Sequence, residues 1–246
     1  MRRRHRAGRW RWPTVAVVLL TAWPAIASTH GPPVPDTLQQ RIAACTACHG
    51  VHGGGSPGSG FFPRLAGKPA GYLLRQMMNF RDGLRSYAPM EYMTRQLSPA
   101  YMREIAAYFA AQQVPYRPAP TPALPAATLL QGRQLAEHGD PGRKVPACQD
   151  CHGSGLTGVE PDIPGLVGLP YDYISSQLGS WRTGTRAAAA PDCMKEIARR
   201  LTPAEIMAVS GWLASRPVPA DHRALPQGSV MPPLACGVLT PADGGT

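Results

Sequence analysis

The pentapeptide Cys45-Thr46-Ala47-Cys48-His49 recurs later in the chain as Cys148-Gln149-Asp150-Cys151-His152. C-x-x-C-H is the attachment pattern of c-type haem. Two thiols three positions apart add to the two vinyl groups of one haem, and the histidine directly after them supplies a proximal imidazole. The two motifs use four of the six cysteines. They predict two covalently bound haems, one on Cys45 and Cys48 and one on Cys148 and Cys151, with His49 and His152 as iron ligands. A zinc ribbon wants its C-x-x-C pairs about 15–20 residues apart, far closer than these. A thioredoxin-like redox pair needs a βαβ context, and no strand-rich segment flanks either motif. Disulfides within each C-x-x-C would leave both histidines unexplained.

A chain of 246 residues has room for one large or two ordinary domains. The N-terminus reads as a secretory signal over residues 1–27: arginines at 2, 3, 4, 6, 9 and 11, an apolar run from Thr14 to Ile26, and the small-x-small site Ala25-Ile26-Ala27. Export to the periplasm is expected, with an uncleaved anchor as the alternative. The apolar run is short against the roughly 20 residues of a membrane span. Those 27 residues hold six arginines and no acid, so their removal lowers the formal charge from +10 to +4. Haem propionates bring the holoprotein close to neutral, which removes the case for a nucleic-acid partner. An oxidising compartment also lets disulfides persist.

Within the mature chain, Asp36 or Thr37 caps a helix that runs through Leu38, Ile42 and Ala43 into the first motif. Residues 50–60 are a glycine loop in which His52 reads as exposed. Tyr72, Leu73, Gln76, Met77 and Phe80 give a helix one apolar face, from Pro69 until Gly83. Residues 87–93 read as a loop carrying Met90 and Met93. Ser98-Pro99 opens the next helix, and residues 114–126 form a Pro-rich, semi-rigid linker. The pattern then returns. Thr128–His138 reads as a helix, and Pro164, Leu166 and Gly168 match Pro63, Leu65 and Gly67. Tyr173, Gln177, Trp181-Arg182, Gly184 and Arg186 match Tyr72, Gln76, Phe80-Arg81, Gly83 and Arg85 at one offset. The chain is a duplication: 36–113 and 127–216 are two all-helical haem domains, followed by an irregular surface tail at 217–246.

The duplication narrows the search for a sixth iron ligand. Seven residues before Leu97 lies Met90, and seven before the aligned Leu201 lies Met194. Met93 faces Ile197 and has no such partner. Met90 and Met194 are therefore the expected axial thioethers. Methionines on helix faces are ordinary gap-fillers.

The motifs C-x-x-C-H-G, Phe62-Pro63…Leu65…Gly67, Tyr72-Leu73…Gln76, Phe80-Arg81…Gly83…Arg85 and Leu97-Ser98-Pro99 make residues 36–216 resemble the dihaem cytochrome c4 family. The resemblance implies an all-α fold of two tandem cytochrome c domains. It also implies His49/Met90 on one iron and His152/Met194 on the other. The carbonyls of Pro63 and Pro164 are then expected to accept the remaining imidazole N–H groups, a role that orients a metal ligand. Cys193 and Cys236 are left over. An even pair predicts a disulfide pinning the tail beside the second ligand segment; the alternative is a Cys193 thiolate ligating in place of Met194. Function is expected to be single-electron shuttling between a quinol-oxidising complex or a periplasmic dehydrogenase and a terminal oxidase, with membrane association only through such partners. The competing expectation is a dihaem peroxidase or thiosulfate-oxidising enzyme with a labile sixth ligand at the second haem.

Overall fold

The computed structural model describes residues 36–239 apart from 57, 118, 119 and 121. Residues 1–27, expected to be a signal segment, and the last residues of the tail lie outside the described residues. From Asp36 onward the chain is one compact unit. Its helices are α1 (Leu38–His49), α2 (Ala70–Arg81), α3 (Ala88–Thr94), α4 (Pro99–Ala110), α5 (Ala126–Glu137), α6 (Cys148–His152), α7 (Tyr171–Thr183), α8 (Cys193–Arg200) and α9 (Pro203–Ser215). Local chemistry sets several starts. Thr37, Ser98, Asp192 and Thr202 each accept a backbone N–H of the first turn, satisfying donors that have no partner inside the helix. Pro99 and Pro203 follow two of these caps, where the missing N–H costs nothing.

The apolar side chains gather in two clusters, one per half. Ile42, Leu73, Ile105, Ala106 and Phe109 form the first. Leu135, Ile174, Leu178, Val209, Trp212 and Leu213 belong to the second. In the first half α4 packs against α1 and α2; in the second, α9 packs against α5 and α7.

Four features differ from the sequence reading or go beyond it, each with a physical cause. The segment holding Met90 is helical, because Glu91 Oε1 accepts from Tyr87 N and Ser86 Oγ at the helix start, at 2.8 Å each. The second haem motif does not continue α5. A turn at Pro141–Arg143 intervenes, closed by the Asp140–Val145 bridge, and α6 is a separate short helix. A two-residue hairpin, β1 (Gly158–Val159) with β2 (Ile163–Pro164), follows; it is too short for alternation to reveal. Finally, the tail is stitched into the body. Leu225 exchanges backbone hydrogen bonds with Gly158 and Glu160 at 2.9 and 2.8 Å, and Cys236 is disulfide-bonded to Cys193.

The Pro-rich linker is likewise held. Buried Arg64 donates to the carbonyls of Ala66, Val114 and Pro115 and lies 3.8 Å over the Tyr116 ring.

Candidate functional site: two imidazole cradles across a cationic seam

Each motif histidine stands at the end of its helix, and both are buried. His49 Nδ1 lies 2.9 Å from the Pro63 carbonyl oxygen, and His152 Nδ1 lies 2.7 Å from that of Pro164. A ring nitrogen that donates to a carbonyl fixes the tautomer and leaves Nε2 as the lone-pair donor. Burial, the dominant cause, pushes both imidazoles down, His152 to about 4. The neutral, ligating form is therefore the one present at physiological pH.

Glycine makes these cradles possible. Gly55 and Gly158 adopt φ of +74° and +98°, and a Cβ on either would fall within 3 Å of the Pro63–Arg64 or Pro164–Gly165 backbone. Only a residue without a side chain passes that close to the accepting carbonyl.

The motif cysteines are all free, although a disulfide forms elsewhere in the chain. Burial raises the Cys45 thiol, pushes Cys148 up to about 12 and Cys151 to about 11. Burial thus keeps these thiols protonated. Met90 and Met194 are both half-buried in the first turns of α3 and α8, and Met194 packs against the second core cluster. Met93 and His52 are exposed. Cys193 is occupied by Cys236, which removes the free thiolate required by the alternative ligation.

The halves meet along a pseudo-symmetric seam built from residues that match in the repeat. Arg85 and Arg186 pair as an antiparallel bridge, flanked by Ser86 N donating to Thr185 O (2.8 Å) and Ala187 N to Leu84 O (2.6 Å). Arg85 donates to Gln76 of its own half at 2.9 Å and to Gln177 of the other at 2.6 Å. Arg186 reciprocates, to Gln177 at 2.7 Å and to Gln76 at 3.0 Å. Each guanidinium also lies over its own half's aromatic ring, Phe80 at 4.5 Å and Trp181 at 3.7 Å. The two arginines are only 8 % and 4 % exposed, and neither is ion-paired to a carboxylate among the described residues. Burial and the neighbouring Arg85 push Arg186 down to about 10. Nearby, Trp181 Nε1 is buried without a hydrogen-bond partner.

Two desolvated cations and an orphaned N–H make a donor set for carboxylates that the chain itself does not provide. Haem brings two. The free thiol pairs, the pinned neutral imidazoles and this donor set fit covalent haem at both motifs.

A cytochrome c family model matches residues 39–113. The chain is 40% identical over 206 residues to a thiosulfate dehydrogenase electron acceptor of Thiomonas intermedia (strain K12), covering 83% of this chain and 91% of that protein. It is 37% identical over 177 residues to cytochrome c4 of Pseudomonas aeruginosa, covering 71% and 85%. The chain belongs to the dihaem cytochrome c4 family. Among solved structures, a thiosulfate dehydrogenase from Marichromatium purpuratum aligns with a TM-score of 0.62 and 36% identity, over 73% of this chain and 39% of that longer one. Two covalently bound haems c and a role in electron transfer follow from this membership. Among the described residues no helix is long and apolar enough to cross a membrane.

Sequence reasoning paired Arg85 with Arg186 as repeat positions but not as neighbours, and it passed over Lys68 entirely. A signal for Lys68 was present: the repeat offset pairs it with Leu169, and a lysine at a position that is apolar in the sister half is out of pattern.

Proposed function

We propose that this protein is a periplasmic two-electron store that accepts electrons, one at a time, from a dehydrogenase that oxidises thiosulfate. The supporting observation is the 40% identity to a thiosulfate dehydrogenase electron acceptor, over a stretch too long to miss either haem motif. When bound, each haem supplies one ferric/ferrous couple. The chain's residues do the rest. Cys45, Cys48, Cys148 and Cys151 would anchor the haems, and His49 with Met90, and His152 with Met194, would ligate the two irons. Ligation by a thioether together with an imidazole would raise the potential relative to two histidines and leave no position for substrate. The two haem-binding units are residues 36–113 and 127–216.

Arg85, Arg186 and Trp181 Nε1 would offer donors to haem propionates. Gln76 and Gln177 each bridge both arginines, which holds these donors together at the seam between the halves. A dehydrogenation releases two electrons, and a chain whose two halves each hold one haem would have the capacity to take up both. Contacts for such transfers are small and short-lived.

The test is rapid mixing of the oxidised protein with a thiosulfate dehydrogenase and thiosulfate, followed by haem absorbance. Reduction of both haems only when enzyme and thiosulfate are both present is expected. No reduction overturns the donor assignment, and reduction by thiosulfate alone makes the protein an enzyme.

A further inference from the structure

Lys68 belongs to the first half, yet its ammonium is buried in the second. The residue is 7 % exposed, and its Nζ donates to the Gly165 carbonyl at 2.8 Å. Gly165 directly follows Pro164, whose carbonyl holds His152 Nδ1 at 2.7 Å. Among the described residues no carboxylate pairs with Lys68. Its charged neighbour is another cation, Arg64, and its remaining polar neighbour is the Tyr72 hydroxyl.

The arrangement has no counterpart in the first half. The position matching Lys68 is Leu169, which is buried and apolar. The position matching Gly165 is Arg64, whose guanidinium turns to the linker carbonyls.

We propose that Lys68 is a cross-half positioning residue that sets the second haem's reduction potential above the value its own half would give. The inference rests on His152 being the axial ligand of that haem. Two effects act in one direction. Burial lowers the Lys68 ammonium only to about 8, so it is charged at neutral pH, and a positive charge in a desolvated site disfavours the extra positive charge of the ferric state. The same charge beside the Pro164–Gly165 peptide draws electron density from the carbonyl that accepts from His152, making the imidazole a weaker donor to iron. The first half thereby tunes the electron affinity of the second, and electrons collected by the first haem are drawn across the seam.

The experiment is a potentiometric titration of the holoprotein, with the amide resonances of Gly50 and Gly153 reporting each haem separately. Wild type is compared with K68M, K68Q and K68R. K68Q keeps a donor for Gly165 O but removes the charge; K68R keeps the charge. The expected result is a fall in the second haem's potential in K68M and K68Q, moving the electron equilibrium between haems about tenfold toward the first, or about 59 mV for a one-electron couple. K68R should stay near wild type. A merely structural lysine would move stability but not the Gly153-reported potential in K68Q, and that outcome overturns the proposal. A fall of equal size at both haems also overturns it. If His152→Ala leaves both haems low-spin, the ligand assignment fails first, and the proposal falls with it; that result leaves the electron-acceptor reading standing.

Discussion

Replacing Arg186 by methionine separates a seam built around propionates from one that is only a protein–protein contact. Its bonds to Gln177 (2.7 Å) and those of Arg85 to the same oxygen (2.6 Å) hold the two donor nitrogens within 5.3 Å of each other. Two unit charges at that distance repel by about 3 kcal/mol at an effective dielectric of 20, and both have lost most of their hydration. If nothing anionic met them, removing one would relieve that repulsion and stabilise the protein. With propionates present, the variant instead strands a buried carboxylate and leaves each glutamine oxygen with Arg85 as its donor. Breaking such a pair costs about 3–5 kcal/mol, and at about 2–4 °C per kcal/mol for a chain of this size the melting temperature drops by roughly 6–20 °C. Thermal melts of the holoprotein followed at the haem band give the answer. A melting temperature that is unchanged or higher in R186M would refute the propionate assignment.

Three further outcomes are expected. Removing the Cys193–Cys236 bond by C236S frees a loop of 43 residues, worth about 4 kcal/mol by chain entropy; denaturant titration should show a loss of about 2–4 kcal/mol, and an unchanged midpoint would contradict a structural role. Glu205 accepts from both guanidinium ends of Arg143, which hold its carboxyl down at about 2. A depressed carboxylate stabilises the fold above its ordinary pKa and loses that contribution as pH falls from about 4.5 toward 2. E205Q should therefore be about 1 kcal/mol less stable than wild type at pH 7, with the gap closing in acid; a gap that is constant across this range would count against the ion pair. G158A places a Cβ 2.6 Å from Gly165 N at φ +98°, so a cost of about 1–3 kcal/mol, together with an altered spectrum at one haem, is expected from melts and absorbance. A silent variant would show that the Pro164 cradle tolerates displacement.

The haem motifs were legible because covalent attachment is local: the thiols and the imidazole must lie within five residues whatever the fold does. Duplication extended that reading to helix order and to Met90 and Met194, since equivalent halves repeat the same spacing. What escaped was non-local. Arg85 and Arg186 sit at matching repeat positions, but their pairing depends on how one half docks on the other. Lys68 crosses that seam to the Gly165 carbonyl, and no periodicity within its own helix-flanking turn marks a partner in the other half. Residues 87–93 looked like a loop because Pro89 and the short length hide a helical turn closed by Glu91. The tail read as irregular because its backbone bonds, from Leu225 to the Gly158–Glu160 segment, are made to a hairpin itself too short to recognise.

The most direct measurement is haem stoichiometry with absorption spectra of the purified holoprotein, oxidised and reduced, alongside M90A and M194A. Two haems per chain, both low-spin, with the weak far-red iron–methionine band diminished in each variant and lost when both are combined, are the predicted result. A single haem per chain, a high-spin component in the wild type, or a band untouched by either substitution would contradict the account.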